Sequence, residues 1–166
     1  MKRILFFVVC IVCLFSCSDS KREYEDNLRH FKNLIQDINT YFLDVSIDSI
    51  EISNYYTDDF VFHSYPAGYP KGVSSSKIEY INGFSAMKKS NISINIFHSI
   101  YLPGIDELSP KIDGSVRMYY GAMLSSDTNT VSFSGYQTVN FHKGKISEIW
   151  EWADYGGVIN QLGSSH

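Results

Sequence analysis

Beyond residue 17 this sequence has no cysteine; Cys10, Cys13 and Cys17 are its only three. An internal disulfide is therefore excluded from the folded part, and no thiol there can serve as nucleophile or metal ligand. Histidine does not fill the gap. His30, His63, His98, His142 and His166 show no pair at the two- to four-residue spacing of a metal site, so no metal is expected. Charged residues are sparse at 19%, and the positive ones are outnumbered. Without Lys2 and Arg3, 12 Lys and Arg face 18 Asp and Glu, a net of about −6, which disfavours nucleic acid as a partner. Gly-x-Ser-x-Gly is missing, and Gly68-x-x-x-Gly72 lacks the Lys-Ser/Thr of a phosphate loop. No cofactor is expected.

What is present begins with a leader. Lys2-Arg3 precedes an unbroken apolar run from Ile4 to Phe15, about the length of a signal-peptide core and too short to span a bilayer. Leu14-Phe15-Ser16-Cys17 resembles a bacterial lipobox, in which cleavage precedes the Cys and that Cys is lipidated. The competing reading is an ordinary signal peptide with an incidental Cys. The sequence divides accordingly into a signal at 1–16, a lipidated Cys17 and polar tether to residue 22, one domain over 23–163, and a tail at 164–166. Lipidation implies a bacterial cell-envelope protein, anchored through acyl chains on Cys17.

The domain is rich in Tyr and Phe, holding all twelve Tyr and eight of the eleven Phe, which suits strands. Tyr24, Leu28, Phe31, Ile35, Ile38 and Phe42 recur at helical spacing, with Arg29, Lys32, Asn33 and Asp37 opposite them. A shorter helix is expected from about Ser46 to Tyr55, and a short strand from Asp58 to Tyr65. Pro66, Gly68, Pro70 and Gly72 then enforce a loop. Ser76 and Glu79 form a capping-box pattern that opens a third helix ending near Lys89. In the next stretch Ile92, Ile94, Ile96, His98, Ile100 and Leu102 alternate with mostly polar residues, predicting a strand with one apolar face. A long loop is expected over Pro103–Gly114. Strands should follow over 115–125, 130–142 and 145–154, with a short helix from Gly156 to Leu162.

Helices followed by an antiparallel meander predict an α+β architecture, with three N-terminal helices packed on a strongly curved sheet around a conical interior. The element order, with Gly144-Lys-Ile-Ser-Glu-Ile-Trp-Glu-Trp-Ala-Asp154 and Gln161-Leu162-Gly163, resembles the nuclear transport factor 2-like superfamily and its polyketide-cyclase (SnoaL-like) branch. That resemblance implies a cone-shaped α+β barrel, usually a homodimer across the outer sheet face, with a deep pocket at one end. It covers enzymes, ligand binders and scaffolds alike, so it does not choose a chemistry.

The resemblance implies that Asp154, ending the last strand, is a pocket acid/base; the same residue is also a favoured helix N-cap. His63, just before the Pro-Gly loop, is a possible proton-transfer partner or a structural His. His98 is either a ligand contact or a hydrogen-bonded core His. Tyr65, Tyr119 and Trp152 are candidate ligand contacts, and Tyr119, Trp150 and Trp152 equally suit wall or dimer packing. Arg117 is the only Arg beyond the first helix, which leaves an epoxide-hydrolase arrangement without support. The expected ligand is a small, largely apolar molecule. The competing readings are an acid/base enzyme using Asp154 and His63, and a scaffold whose own side chains fill the cone.

Overall fold

A computed structural model describes residues 2–66 and 68–163, with side chains from residue 19 onward. The Cys17 side chain and the 164–166 tail lie outside the described residues. Helix α1, Lys2–Leu43, is continuous, so residues 18–22, read above as a tether, are helical. Its stripe of Phe31, Leu34, Ile35, Ile38, Tyr41 and Phe42 is buried against the sheet, while Arg29, Lys32, Asn33 and Asp37 face solvent.

Six strands form one mixed sheet in the order β2-β1-β6-β5-β4-β3. They are β1 Tyr56–Ser64, β2 Val73–Ser76, β3 Ser93–Ile105, β4 Ile112–Ser125, β5 Thr130–His142 and β6 Lys145–Ala153. All neighbours are antiparallel except β1 and β6. Helix α2, Lys77–Lys89, follows β2, and α3, Tyr155–Leu162, follows β6. Three α-helices on a mixed sheet give the α+β cone, but the third helix is the C-terminal one. The capping box at α2 is formed: Ser76 accepts from the Glu79 backbone N–H, and the Glu79 carboxylate accepts from Ser76 N.

The helix expected over 46–55 is not there. Asp44 Oδ1 accepts from both the N–H and the hydroxyl of Ser46, at 2.9 and 2.7 Å, which turns the chain out of α1. Only a 3₁₀ turn, Ser53–Tyr55, remains. Lys88 replaces helical bonding here, donating to the carbonyls of Tyr41, Asp44 and Ile47.

Strand β3 departs from simple alternation. Its register against β4 shifts between Ile96 and His98, a bulge at Phe97 that reverses the faces beyond it. Asn39 of α1 holds the bulge, donating to Ile96 O at 2.8 Å and accepting from Ile96 N at 2.9 Å. Ile94 consequently points inward, whereas His98, Ile100 and Leu102 are exposed. The loop expected over 103–114 is shorter than read, because β3 runs on through Pro103 and Gly104. Proline is tolerated there because β3 is an edge strand. A Cβ on Gly104 would stand 1.9 Å from Ser115 Oγ, so that close crossing requires glycine.

Candidate functional site

Helices α1 and α2 do not close completely on the sheet. Between them lies a cavity of about 360 Å³ walled by Phe31, Leu34, Ile38, Phe84, Met87, Ile94, Leu124 and Ile149. Ser64, Ser75, Glu79 and the exposed Gly83 also line it, and Gly83 marks its opening beside α2. The volume falls at the lower end of small-molecule sites. Among the described residues, no Lys, Arg or His lines it.

One end of the cavity is polar, and Glu151 is its centre. This carboxyl group is 3% exposed. Tyr120 donates to Oε1 at 2.8 Å, Gln137 Nε2 donates to the same oxygen, and Tyr155 donates to Oε2 at 2.9 Å. Among the described residues no cation pairs with it. Burial pushes the Glu151 carboxyl above the ordinary glutamate value, although the three hydrogen bonds act in the opposite sense. Burial first and the Glu151 charge second push the Tyr120 and Tyr155 hydroxyls upward as well.

Local structure explains how these groups meet. Gln137 and Glu151 are direct cross-strand partners of β5 and β6, so both project to the inner face. Tyr120 faces Gly135 across β4 and β5, and a Cβ on Gly135 would lie 2.4 Å from the Tyr120 ring. Glycine there gives the ring its room. Tyr155 is the first residue of α3, whose N-cap is Asp154: Asp154 Oδ1 accepts from Gly157 N at 2.9 Å. Tyr155 is thereby set one turn from Glu151.

The residues nominated from sequence are placed elsewhere. Asp154 caps α3, as the capping reading held, and does not line the cavity. His63, Tyr65, Trp150 and Trp152 lie on the outer face of the sheet. His63 Nε2 is 3.1 Å from Glu148 Oε1, Nδ1 is 3.0 Å from Ser74 Oγ, and its ring stacks on Trp150 at 4.2 Å. Burial of Glu148 is outweighed by bonds from Trp150, Asn140 and His63, which hold it below the usual glutamate value. Tyr65 stacks on Trp152 at 4.9 Å, and Tyr119 packs on Tyr136 at 4.8 Å. His98 lies with Tyr119 in a shallow outer recess rather than in the core or the cavity. Arg117 faces Asp113 at 3.9 Å, also outside the cavity.

Glu151, Gln137, Tyr120 and Tyr155 were therefore missed as a site. A faint signal existed: Glu151 shares strand parity with Ile149, opposite to Trp150 and Trp152. Among the described residues, no group of His, Cys, Asp and Glu has the arrangement of a metal site.

No family model matches the chain, and no curated protein matches it in sequence. Solved structures do resemble it. A candidate SnoaL-like polyketide cyclase from a Jannaschia species is 9% identical, with 86% of this chain and 94% of that one covered at a TM-score of 0.57. A phenazine biosynthesis-related protein from Pseudomonas aeruginosa is 8% identical, with 90% and 92% covered at 0.61. An LEH-like epoxide hydrolase from M. tuberculosis is 13% identical, with 83% and 92% covered at 0.55. At such identities the likeness is one of fold: the nuclear transport factor 2-like cone, shared with SnoaL-like cyclases and ketosteroid-isomerase-like proteins.

Proposed function

We propose that this protein binds a small, largely apolar molecule inside its cone, with Glu151 as the polar group that orients it. One observation carries the reading: a largely apolar cavity of about 360 Å³ ends at a buried carboxyl group that, among the described residues, no cation neutralises. Such a group is costly to bury, and a fold evolved only for stability would fill the space with apolar side chains. The scaffold reading, which needs a filled cone, is therefore the weaker one. Native mass spectrometry of the purified protein tests the proposal. A retained small molecule, released on denaturation, is the expected result; repeated recovery of an empty protein that also takes up no apolar probe would overturn it.

A second reading has its own observation. Glu151 is a carboxyl group in the cavity wall that burial raises above the ordinary glutamate value, so proton transfer on the bound molecule is the natural chemistry of an enzyme here. Glu151 takes the part that sequence reading gave to Asp154 and His63.

The address is proposed on the leader. Cys17 would carry acyl chains that hold the protein in a bacterial cell envelope. Replacing Cys17 by Ser should move the protein to the soluble fraction, and continued membrane attachment would defeat the idea. A homodimer through the outer sheet face, where Ile100, Tyr119 and Trp152 are exposed, completes the proposal.

A further inference from the structure

We propose that the cavity selects an apolar molecule whose polar end is a hydrogen-bond donor, a hydroxyl foremost, and that Gln137 reads that donor through Oε1. The inference rests on the ligand-binding reading above and narrows the ligand to a chemical class.

A count of donors and acceptors at the polar end carries it. The hydroxyls of Tyr120 and Tyr155 and an N–H of Gln137 all point to Glu151, so the protein's own carboxyl group consumes them. The acceptors are not consumed. Gln137 is 6% exposed and lines the cavity, yet its Oε1 accepts no hydrogen bond among the described residues. Glu151 Oε2 accepts only from Tyr155 among the bonds seen, which leaves further acceptor capacity at the same end.

The amide cannot simply be turned over to remove the difficulty. That would set a carbonyl oxygen against Glu151 Oε1, which already accepts from Tyr120. Nor can Gln137 escape to water. Its cross-strand partners are Met118 and Glu151, and Val139 two residues on is fully buried. A ligand ketone or ether could take the second Gln137 N–H but would leave Oε1 unpaired. An anion would meet Glu151 with, among the described residues, no cationic side chain lining the cavity to receive it. A hydroxyl satisfies Gln137 and seats the adjoining carbon skeleton against the apolar walls. Gln137 is on this view a specificity-determining residue.

The test uses three probes of nearly one shape: naphthalene, 2-naphthol and 2-methoxynaphthalene, titrated calorimetrically into the full chain freed of endogenous ligand. An unmatched buried acceptor predicts that 2-naphthol binds about tenfold more tightly than 2-methoxynaphthalene. Gln137→Leu should erase that preference, bringing 2-naphthol and its methyl ether to equal affinity. Equal binding of naphthol and its methyl ether to the wild type overturns the proposal, as does a preference that survives Gln137→Leu. The wild-type comparison stands by itself should the variant fold poorly, and Gln137→Met supplies a second variant. Naphthalene distinguishes loss of the donor preference from loss of binding. If it binds without any preference among the three, only the donor rule falls; if none of the probes binds, the cavity reading falls with it.

Discussion

Glu151 is held by three donors and, among the described residues, by no cation, an arrangement that orients a carboxyl group without neutralising it. Its pH signature has a definite sign. A carboxyl raised above its unfolded value gives stability that is complete below the ordinary glutamate value of 4.5 and is lost as pH rises through the folded value. Glu151→Gln keeps the size and removes the titration. Thermal midpoints of the wild type should therefore fall relative to Glu151→Gln as pH rises above 4.5. Glu148, held low, acts oppositely, but it is present in both proteins and cancels in the difference. Parallel melting curves would contradict the upward displacement. At this scale the sequence spoke only faintly: parity alone separates Glu151 from its Trp neighbours. Gln137, Tyr120 and Tyr155 become partners only once the register of three strands and a helix start is known.

At the scale of elements, α3 is more than a closing helix, because it delivers Tyr155 to Glu151. Its start depends on Asp154 and on Gly157, where a Cβ would stand 2.4 Å from Asp154 Oδ2. Asp154→Ala should cost about 1 kcal/mol in urea unfolding, in line with other lost N-caps. Through Tyr155 it should also reduce any binding or activity that depends on Glu151. Asp154→Asn, which still accepts from Gly157 N, should restore both. If Asp154→Ala abolished function while Asp154→Asn failed to rescue a stable protein, the carboxylate would have a role beyond capping. The elements themselves were largely legible. The amphipathic stripe of α1, the capping box of α2 and the last two strands fall where spacing placed them. Strand β3 did not, because its bulge is imposed by Asn39, a residue more than fifty positions away that bonds both backbone groups of Ile96. Alternation cannot reveal such a tertiary constraint, and His98 was assigned to the wrong face for that reason. The four residues of β2 are too few and too polar to signal a strand before their pairing with β1 is known.

For the whole molecule, the cavity exists because α2 stands off from the sheet, and Gly83 marks where. A side chain added there meets nothing within 4 Å, although the residue lines the cavity and is open to solvent. Glycine inside a helix costs about 1 kcal/mol relative to alanine, so its presence on α2 works against the helix. Two substitutions then separate stability from access. Gly83→Ala should stabilise the protein by up to about 1 kcal/mol and leave probe binding unchanged. Gly83→Trp should retain the fold, seen as an unaltered circular dichroism spectrum, while weakening naphthalene binding severalfold by occupying the mouth. A Gly83→Trp protein that binds as well as the wild type would mean that ligands do not enter between α2 and the sheet. The apolar space would then be a packing defect rather than a site, and Glu151 a buried charge held only for the specificity of the fold.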